Sequence, residues 1–149
     1  MKISNKIFIT GASGGIGSAL CNKFSNKNYR LVLTASSDEK LENLKRVYGQ
    51  NNFYYKVDLS DSTNLQNCLE TISSDHKDIS VIVNNAGVTE DNLIFRMKND
   101  QWNEVLQTNL NSNYQIIKSL LPNMLSNKYG KIIGISSIVG STGNPGQAN

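Results

Sequence analysis

Near the amino terminus, Thr10-Gly11-Ala12-Ser13-Gly14-Gly15-Ile16-Gly17 has the composition of a turn that can lie against phosphate. Glycine lets the backbone turn tightly and approach a ligand with no Cβ in the way. The turn joins an apolar run, residues 6–10, to a segment with helically spaced apolar residues. A helix N-terminus offers free N–H groups and a partial positive charge, which suits a pyrophosphate. Ser13 adds a hydroxyl beside it. The spacing is Gly11-x-x-x-Gly15-x-Gly17, which differs from the common GxGxxG fingerprint. A glycine-rich turn that only packs would look similar, so other residues have to agree with it.

Two further features agree. Asp58 ends the apolar run 53–57, where a carboxylate can accept a hydrogen bond from an adenine amine or cap the next helix. Asn84-Asn85-Ala86-Gly87 ends the run 79–84. Its small residues leave room for a flat ring, and Asn85 can bond the backbone or a ribose. All these residues stand at the carboxyl ends of strand-like runs, the edge where open α/β sheets bind ligands. Together they predict a dinucleotide-binding site.

The positioning elements follow from periodicity. Strands are predicted over 6–10, 30–35, 53–57, 79–84 and 131–136. Between them, helices are predicted after the glycine turn, over 38–48, over 61–73 and over 100–126. In the first helix Ile16, Ala19, Leu20, Lys23 and Phe24 define the expected inward stripe. In the second it is Leu41, Leu44 and Val47, with Gly49 as C-terminal cap. Asp61 or Ser62 is expected to cap the third. Residues 91–97 read as a short helical piece and 138–149 as loop. Pro122 is expected to kink or break the long helix. Strands alternating with helices give a Rossmann-type, doubly wound α/β fold with a parallel sheet and helices on both faces.

The 149-residue composition is that of one ordinary globular domain, 38% hydrophobic and 18% charged. A net charge of +3 with scattered lysines gives no argument for nucleic acid. No apolar run approaches the ~20 residues of a membrane span, and residues 1–10 lack the apolar core of a signal peptide. A cytoplasmic protein is expected. Cys21 and Cys68, the two cysteines, read as buried thiols, and no cysteine–histidine cluster points to a metal. His76, the single histidine, reads as a solvated surface residue.

The combined motifs resemble the short-chain dehydrogenase/reductase family. Residues 10–17 look like its TGxxxGxG cofactor motif, and Asn84-Asn85-Ala86-Gly87 looks like its NNAG motif. Asn109, in Thr108-Asn109-Leu110, matches the family's helix asparagine, and Ser137 matches its catalytic serine. Residues 88–98 and 137–149 are similar to bacterial 3-oxoacyl-[acyl-carrier-protein] reductases. The resemblance implies NADPH-dependent reduction of a 3-oxoacyl group on acyl carrier protein, in fatty-acid elongation, by a homotetramer. It implies cofactor contacts from Gly11, Ala12, Ser13, Gly14, Gly15, Ile16, Gly17, Ser36, Asp58, Leu59, Asn85, Ala86 and Gly87.

In the family a Tyr, with a Lys four residues on, protonates the alkoxide formed as hydride reaches the ketone. The resemblance gives Ser137 the substrate oxygen, and Asn109 a water in the proton relay. The Tyr-x-x-x-Lys motif is expected immediately after Asn149. Tyr48, Tyr54, Tyr55, Tyr114 and Tyr129 do not stand in that context. The chain therefore reads as the first five of an expected seven strands, inactive alone. Its alternatives are a non-catalytic nucleotide-binding remnant or a short-chain reductase with another substrate. The end of the second strand, Ala35-Ser36-Ser37, lacks the carboxylate that would hold the ribose hydroxyls of NADH and repel a 2′-phosphate, and Ser36 matches the hydroxyl residue of the NADPH-using reductases. NADPH is therefore preferred over NADH, although Gly14 replaces an arginine that many of these reductases carry. Lys128 and Lys131 are expected to flank the mouth for the carrier's pantetheine arm. On this reading Ile116, Leu120 and Leu121 would be exposed for lack of a partner helix.

Overall fold

The computed structural model describes residues 5–149; the part of the signal-peptide expectation that falls on residues 1–4 lies outside them. Five parallel strands, β1 (Lys6–Ile9), β2 (Arg30–Ala35), β3 (Phe53–Lys56), β4 (Ile79–Asn84) and β5 (Lys131–Gly134), form one sheet ordered β3-β2-β1-β4-β5. Each of β1, β2 and β4 has a neighbour on both sides, so its backbone groups are paired along both edges. Their Ile, Leu and Val side chains alternate between two buried faces.

Helices α1 (Gly15–Ser25) and α2 (Asp38–Tyr48) cover one face, over Ile7, Ile9, Leu31, Leu33, Val81 and Val83. Helices α3 (Ser62–Asp75) and α5 (Ser112–Ser126) cover the other, over Phe8, Val32 and Ile82. Helix α4 (Asn99–Leu106) runs into α5 through a π-helical turn, Gln107–Asn111. A short α6 (Val139–Thr142) lies within the stretch expected to be loop. Residues 94–96 form only a turn, closed by Arg96 N–H donating to Leu93 O at 2.8 Å, where a short helix was expected.

Several expectations need correction. The α1 stripe is rotated: Gly17 and Cys21 are buried, while Ile16 is 59% exposed. In α2 the inward face runs Leu41, Leu44, Tyr48, the i, i+3, i+7 set, and Val47 is left exposed. The long helix is interrupted at the π-helical turn rather than at Pro122, which sits inside α5. Ile116 and Leu120 are fully covered, because α5 packs on α3 and the sheet. The exposed apolar residues of this region are Leu110, Tyr114 and Leu125. Asp61 is the α3 cap, accepting from the backbone N–H groups of Thr63 and Asn64, each at 2.9 Å. Both cysteines are free, and burial pushes the Cys21 thiol up to about 12.

His76 is the largest departure: it is buried, at 3% exposure. It follows α3 and meets residues from β1 and β3. Lys6 Nζ lies 3.3 Å from Nδ1, Tyr55 Oη lies 2.8 Å from Nε2, and the Phe53 ring centre is 4.2 Å away. Lys6 in turn pairs with Asp78 at 2.5 Å, and Arg30 stands over Phe53. A lysine can only donate, so Nδ1 accepts and the neutral ring carries its proton on Nε2, toward Tyr55. Burial, then the Lys6 charge, lowers the His76 pKa from 6.5, with Asp75 and Asp78 opposing.

A lowered folded pKa means that the unfolded chain binds the proton more readily. The stability from neutral His76 is complete above pH 6.5 and is lost as pH falls toward and through the folded value. We therefore expect the thermal midpoint to drop by several degrees more between pH 7.5 and 5.5 in the parent chain than in His76→Phe. Parallel slopes in scanning calorimetry at the two pH values would show that the histidine does not titrate in this way.

Candidate dinucleotide site

The strand order reverses direction between β1 and β4, since the chain leaves β1 toward one face and β4 toward the other. That divergence opens a crevice at the carboxyl edge of the sheet. Its volume is about 460 Å³, within the usual range for a ligand site. The glycine turn forms its floor, Asp58 and Leu59 one wall, and Asn85, Ala86 and Gly87 the other.

The turn is shaped by close approaches. Gly11 has φ +63°, and a Cβ on it would stand 2.9 Å from the Cα of Ala86. A Cβ on Gly17 would stand 2.9 Å from the Cα of Ala12 and run into the Gly11 carbonyl. Both distances are too short for any side chain. Gly15, by contrast, faces open space. The contact at Gly17 explains the rotated stripe of α1: the helix must turn Gly17 inward, which turns Ile16 into the crevice.

Asn85 fastens this turn to β4. Its Nδ2 donates to Thr10 O at 3.0 Å and to Gly11 O at 3.1 Å. Thr10 Oγ1 accepts from the backbone N–H of Asn85 at 3.0 Å and of Ala86 at 3.1 Å. Asn85 thus bonds the backbone, one of the two roles open to it in sequence. Asp58 does not cap α3, which Asp61 does. Its Oδ1 accepts from the N–H of Ser60 at 2.9 Å and the Ser60 hydroxyl at 2.6 Å. The carboxylate is thereby held still while lining the crevice.

Gly11, Ser13, Gly14, Gly15, Ile16, Gly17, Ser36, Asp58, Leu59, Asn85, Ala86 and Gly87 come together around this crevice. Ala12 does not line it; its side chain is buried in the core under α1. Asn109 stands just behind, clamping Val88: the Val88 N–H donates to Oδ1 and Nδ2 donates to the Val88 carbonyl, each at 2.8 Å. Ser137 lies beyond β5, exposed and outside the crevice lining, with its hydroxyl accepting from Val139 N–H at 3.3 Å.

Glu104 and Thr108, from α4 and the π-helical turn, line the crevice and were not singled out in sequence. They arrive through tertiary packing and carry no local signal. Tyr114 and Lys118 do have the four-residue spacing of Tyr-x-x-x-Lys, which the sequence reading passed over. They lie on α5 outside the crevice lining, with Lys118 Nζ 5.7 Å from the ring centre and Tyr114 63% exposed. Lys128 and Lys131 cannot flank the crevice mouth, because they sit at the amino end of β5, the opposite edge of the parallel sheet.

Among the described residues no helix is long and apolar enough to cross a membrane, and no metal-binding group of His, Cys, Asp and Glu occurs. Removing the Asn85 amide would take a donor from the Thr10 carbonyl and leave the Gly11 carbonyl with the Gly14 N–H at 3.1 Å, at a cost of about 1–3 kcal/mol. Asn85→Ala should accordingly lower the urea midpoint with an unchanged m-value, and Asn85→Asp should lower it further by setting a carboxylate against carbonyls. Equal midpoints for all three proteins would mean that the turn is held by other contacts.

A family model described as short chain dehydrogenase matches residues 5–149. The 3-oxoacyl-[acyl-carrier-protein] reductase of Haemophilus influenzae is 40% identical over 95% of this chain and 58% of its own length. That of Escherichia coli is 35% identical over 100% of this chain and 62% of its own. The chain thus spans about three fifths of these relatives. Among solved structures, a candidate betaketoacyl-ACP reductase superposes with a TM-score of 0.86 at 20% identity, over 99% of this chain and 60% of that one. Serine dehydrogenase from Escherichia coli superposes with a TM-score of 0.84 at 25% identity, over 95% and 65%. With its parallel sheet, and with its glycine turn and Asn85-Ala86-Gly87 lining one crevice, this chain belongs to the short-chain dehydrogenase family.

Proposed function

We propose that residues 1–149 form the cofactor-binding part of an NADPH-dependent 3-oxoacyl-[acyl-carrier-protein] reductase. The observation that carries this reading is the glycine cradle. At Gly11 and Gly17 the backbone leaves no room for a Cβ, and the N-terminus of α1 opens onto the same crevice. A pyrophosphate fits that space and charge. The similarity to 3-oxoacyl-[acyl-carrier-protein] reductases over nearly the whole chain supports the substrate class. The nicotinamide, when bound, supplies a hydride for the ketone carbon.

The chain's own groups divide the remaining work. Ser13 and the α1 N–H groups face the phosphates. Asp58, pre-oriented by Ser60, is set to accept an adenine N–H. Gly87 and Ala86 leave the flat space for the nicotinamide. Ser137 donates to the substrate oxygen in the active arrangement, stabilising its developing charge. Asn109 contributes through its main-chain carbonyl, while its side-chain amide clamps Val88. The acyl group is presented on acyl carrier protein, and the reductase works as a cytoplasmic homotetramer.

The test is binding and turnover with the chain as it stands. Titration calorimetry should give tighter binding of NADPH than of NADH. An acetoacetyl thioester with NADPH should not be turned over, because no Tyr-x-x-x-Lys pair of this chain faces the crevice. Tighter NADH binding would overturn the cofactor assignment. Measurable turnover would overturn the division of labour, and failure to bind either dinucleotide would overturn the reading itself.

A further inference from the structure

At the amino edge of the sheet, opposite the crevice, several elements meet on the ring of His76, and both ring nitrogens are partnered. Lys6, at the start of β1, donates to Nδ1 at 3.3 Å, and the Nε2–H donates to Tyr55 Oη of β3 at 2.8 Å. The Tyr55 hydroxyl in turn donates to Asp75 Oδ2, 3.5 Å away at the end of α3. Donors and acceptors thus run one way, from Lys6 through His76 and Tyr55 to Asp75, and that order requires a neutral ring. The His76 backbone joins the same elements. Its N–H donates to Ile72 O in α3 at 2.9 Å, and its carbonyl accepts from the Ile79 N–H at the start of β4 at 3.1 Å.

A proton on Nδ1 does not fit this arrangement. It would set an N–H⁺ against the Lys6 ammonium, two donors and two like charges 3.3 Å apart, at a residue 3% exposed. Lys6 of β1 and Arg30 of β2 oppose a charge on the ring, while Asp75 and Asp78 favour one. Asp78 is already paired with Lys6, and Asp75 lies beyond Tyr55. The contact from α5, Asn127 Nδ2 donating to Lys77 O at 2.7 Å, is uncharged, and Lys77 and Lys128 beside it are exposed. Relief therefore requires the ring to leave Phe53, or Lys6 to leave the ring and keep Asp78, which is half exposed, as its partner.

Parallel strands that start together also end together. β1 runs from Lys6 to the glycine turn, β3 from Tyr55 to the crevice wall at Asp58 and Leu59, and β4 from His76 to Asn85. Helix α3 returns from that wall to His76, and Asn64 Oδ1 in its first turn accepts from the Asp58 N–H at 3.0 Å. The two edges are one strand apart, about 13 Å for a four-residue strand. We propose that His76 is a proton-operated clasp: protonating its ring opens the junction of α3, β1 and β4 and weakens dinucleotide binding at the opposite edge, while a bound dinucleotide holds the ring neutral. The coupling rests on the dinucleotide reading above and adds a control to it.

His76 is the single histidine, so its ring signals in an NMR spectrum need no separate assignment. The experiment titrates residues 1–149 from pH 7.5 to 5, with and without saturating NADP⁺. The ring should protonate below pH 6.5, and NADP⁺ should lower its proton affinity by about fivefold. Linkage is reciprocal. In calorimetry, dinucleotide affinity should be complete above the pH at which the ring titrates and fall below it. Between pH 7.5 and 5 it should fall by up to about fivefold more in the parent than in His76→Phe. The titration of the ligand's own 2′-phosphate is common to both proteins and cancels. At pH 7.5 the two affinities should agree within about twofold. His76→Gln, a second neutral variant, should behave as His76→Phe does. Lys6→Met removes the opposing ammonium, so the ring should protonate at higher pH and the pH dependence of binding should shrink. At pH 5, amide exchange over residues 73–80 should be faster in the parent than in His76→Phe. A ring titration indifferent to NADP⁺, or equal pH dependence of binding in parent and His76→Phe, would overturn the coupling. Exchange rising together along the whole chain would overturn a local clasp in favour of global unfolding. If no dinucleotide binds at pH 7.5, the dinucleotide reading falls and the coupling with it, while the ring titration and the exchange still decide whether His76 is a clasp.

Discussion

One side-chain amide connects the two halves of the crevice. Asn85 donates to the carbonyls of Thr10 and Gly11, and Thr10 returns the connection by accepting two N–H groups from the segment after β4. The constraint behind this is topological. After β1 the chain departs to the α1–α2 face, and after β4 it departs to the α4–α5 face. The sheet's ladder ends where they part, and backbone polar groups there have no strand partner. A short amide with two donor hydrogens can close both gaps without filling the opening. Longer side chains would occupy the crevice that the divergence creates.

From that fastening the rest of the site follows by steric exclusion. With the Gly11 carbonyl fixed by Asn85, α1 can start only if its third residue carries no side chain, and Gly17 is that residue. The helix is then rotated so that Cys21, with Leu20 and Phe24 partly, packs on the sheet, while Ile16 faces the crevice. A feature of the functional edge therefore determines how a core helix packs. The same logic holds at Gly87, where a Cβ would stand 3.2 Å from Asn109 Oδ1.

The central strands β1, β2 and β4 were legible in the sequence because a strand buried on both faces reads as a continuous apolar run, and the turns between the strands carry glycine, serine and asparagine. The edges of the site were legible for the same reason: Gly11, Asp58 and Asn85 each end such a run. The misreadings came from information that is not local. Periodicity alone gives an α1 stripe beginning at Ile16, and only the backbone contact at Gly17 shows that it is offset. His76 sits in a polar stretch, and its burial depends on Lys6, Phe53 and Tyr55, which lie far away in sequence. Pro122 drew attention as a helix breaker, but the interruption came at Gln107–Asn111, which contains no proline. Glu104 and Thr108 reach the crevice through tertiary packing, with the turn after α4 tied to its wall where Gln107 Nε2 donates to Leu59 O at 3.4 Å.

The π-helical turn gives Asn109 its particular setting. Such turns widen a helix by one residue and shift what lies on each face, and they occur often at functional sites. Here the turn brings both ends of the Asn109 amide onto the backbone of Val88, so the side chain acts as a clamp between helix and crevice wall. Asn109 keeps a second amide N–H on Nδ2 and a second lone pair on Oδ1. Its main-chain carbonyl accepts from Asn113 Nδ2 at 2.7 Å, and a carbonyl oxygen has a second lone pair. Under the reductase reading, that carbonyl is one atom of Asn109 with which a relay water can be held. An Asp at this position would keep the Val88 N–H bond and lose the bond to the Val88 carbonyl, loosening the wall at Gly87 without touching the carbonyl itself.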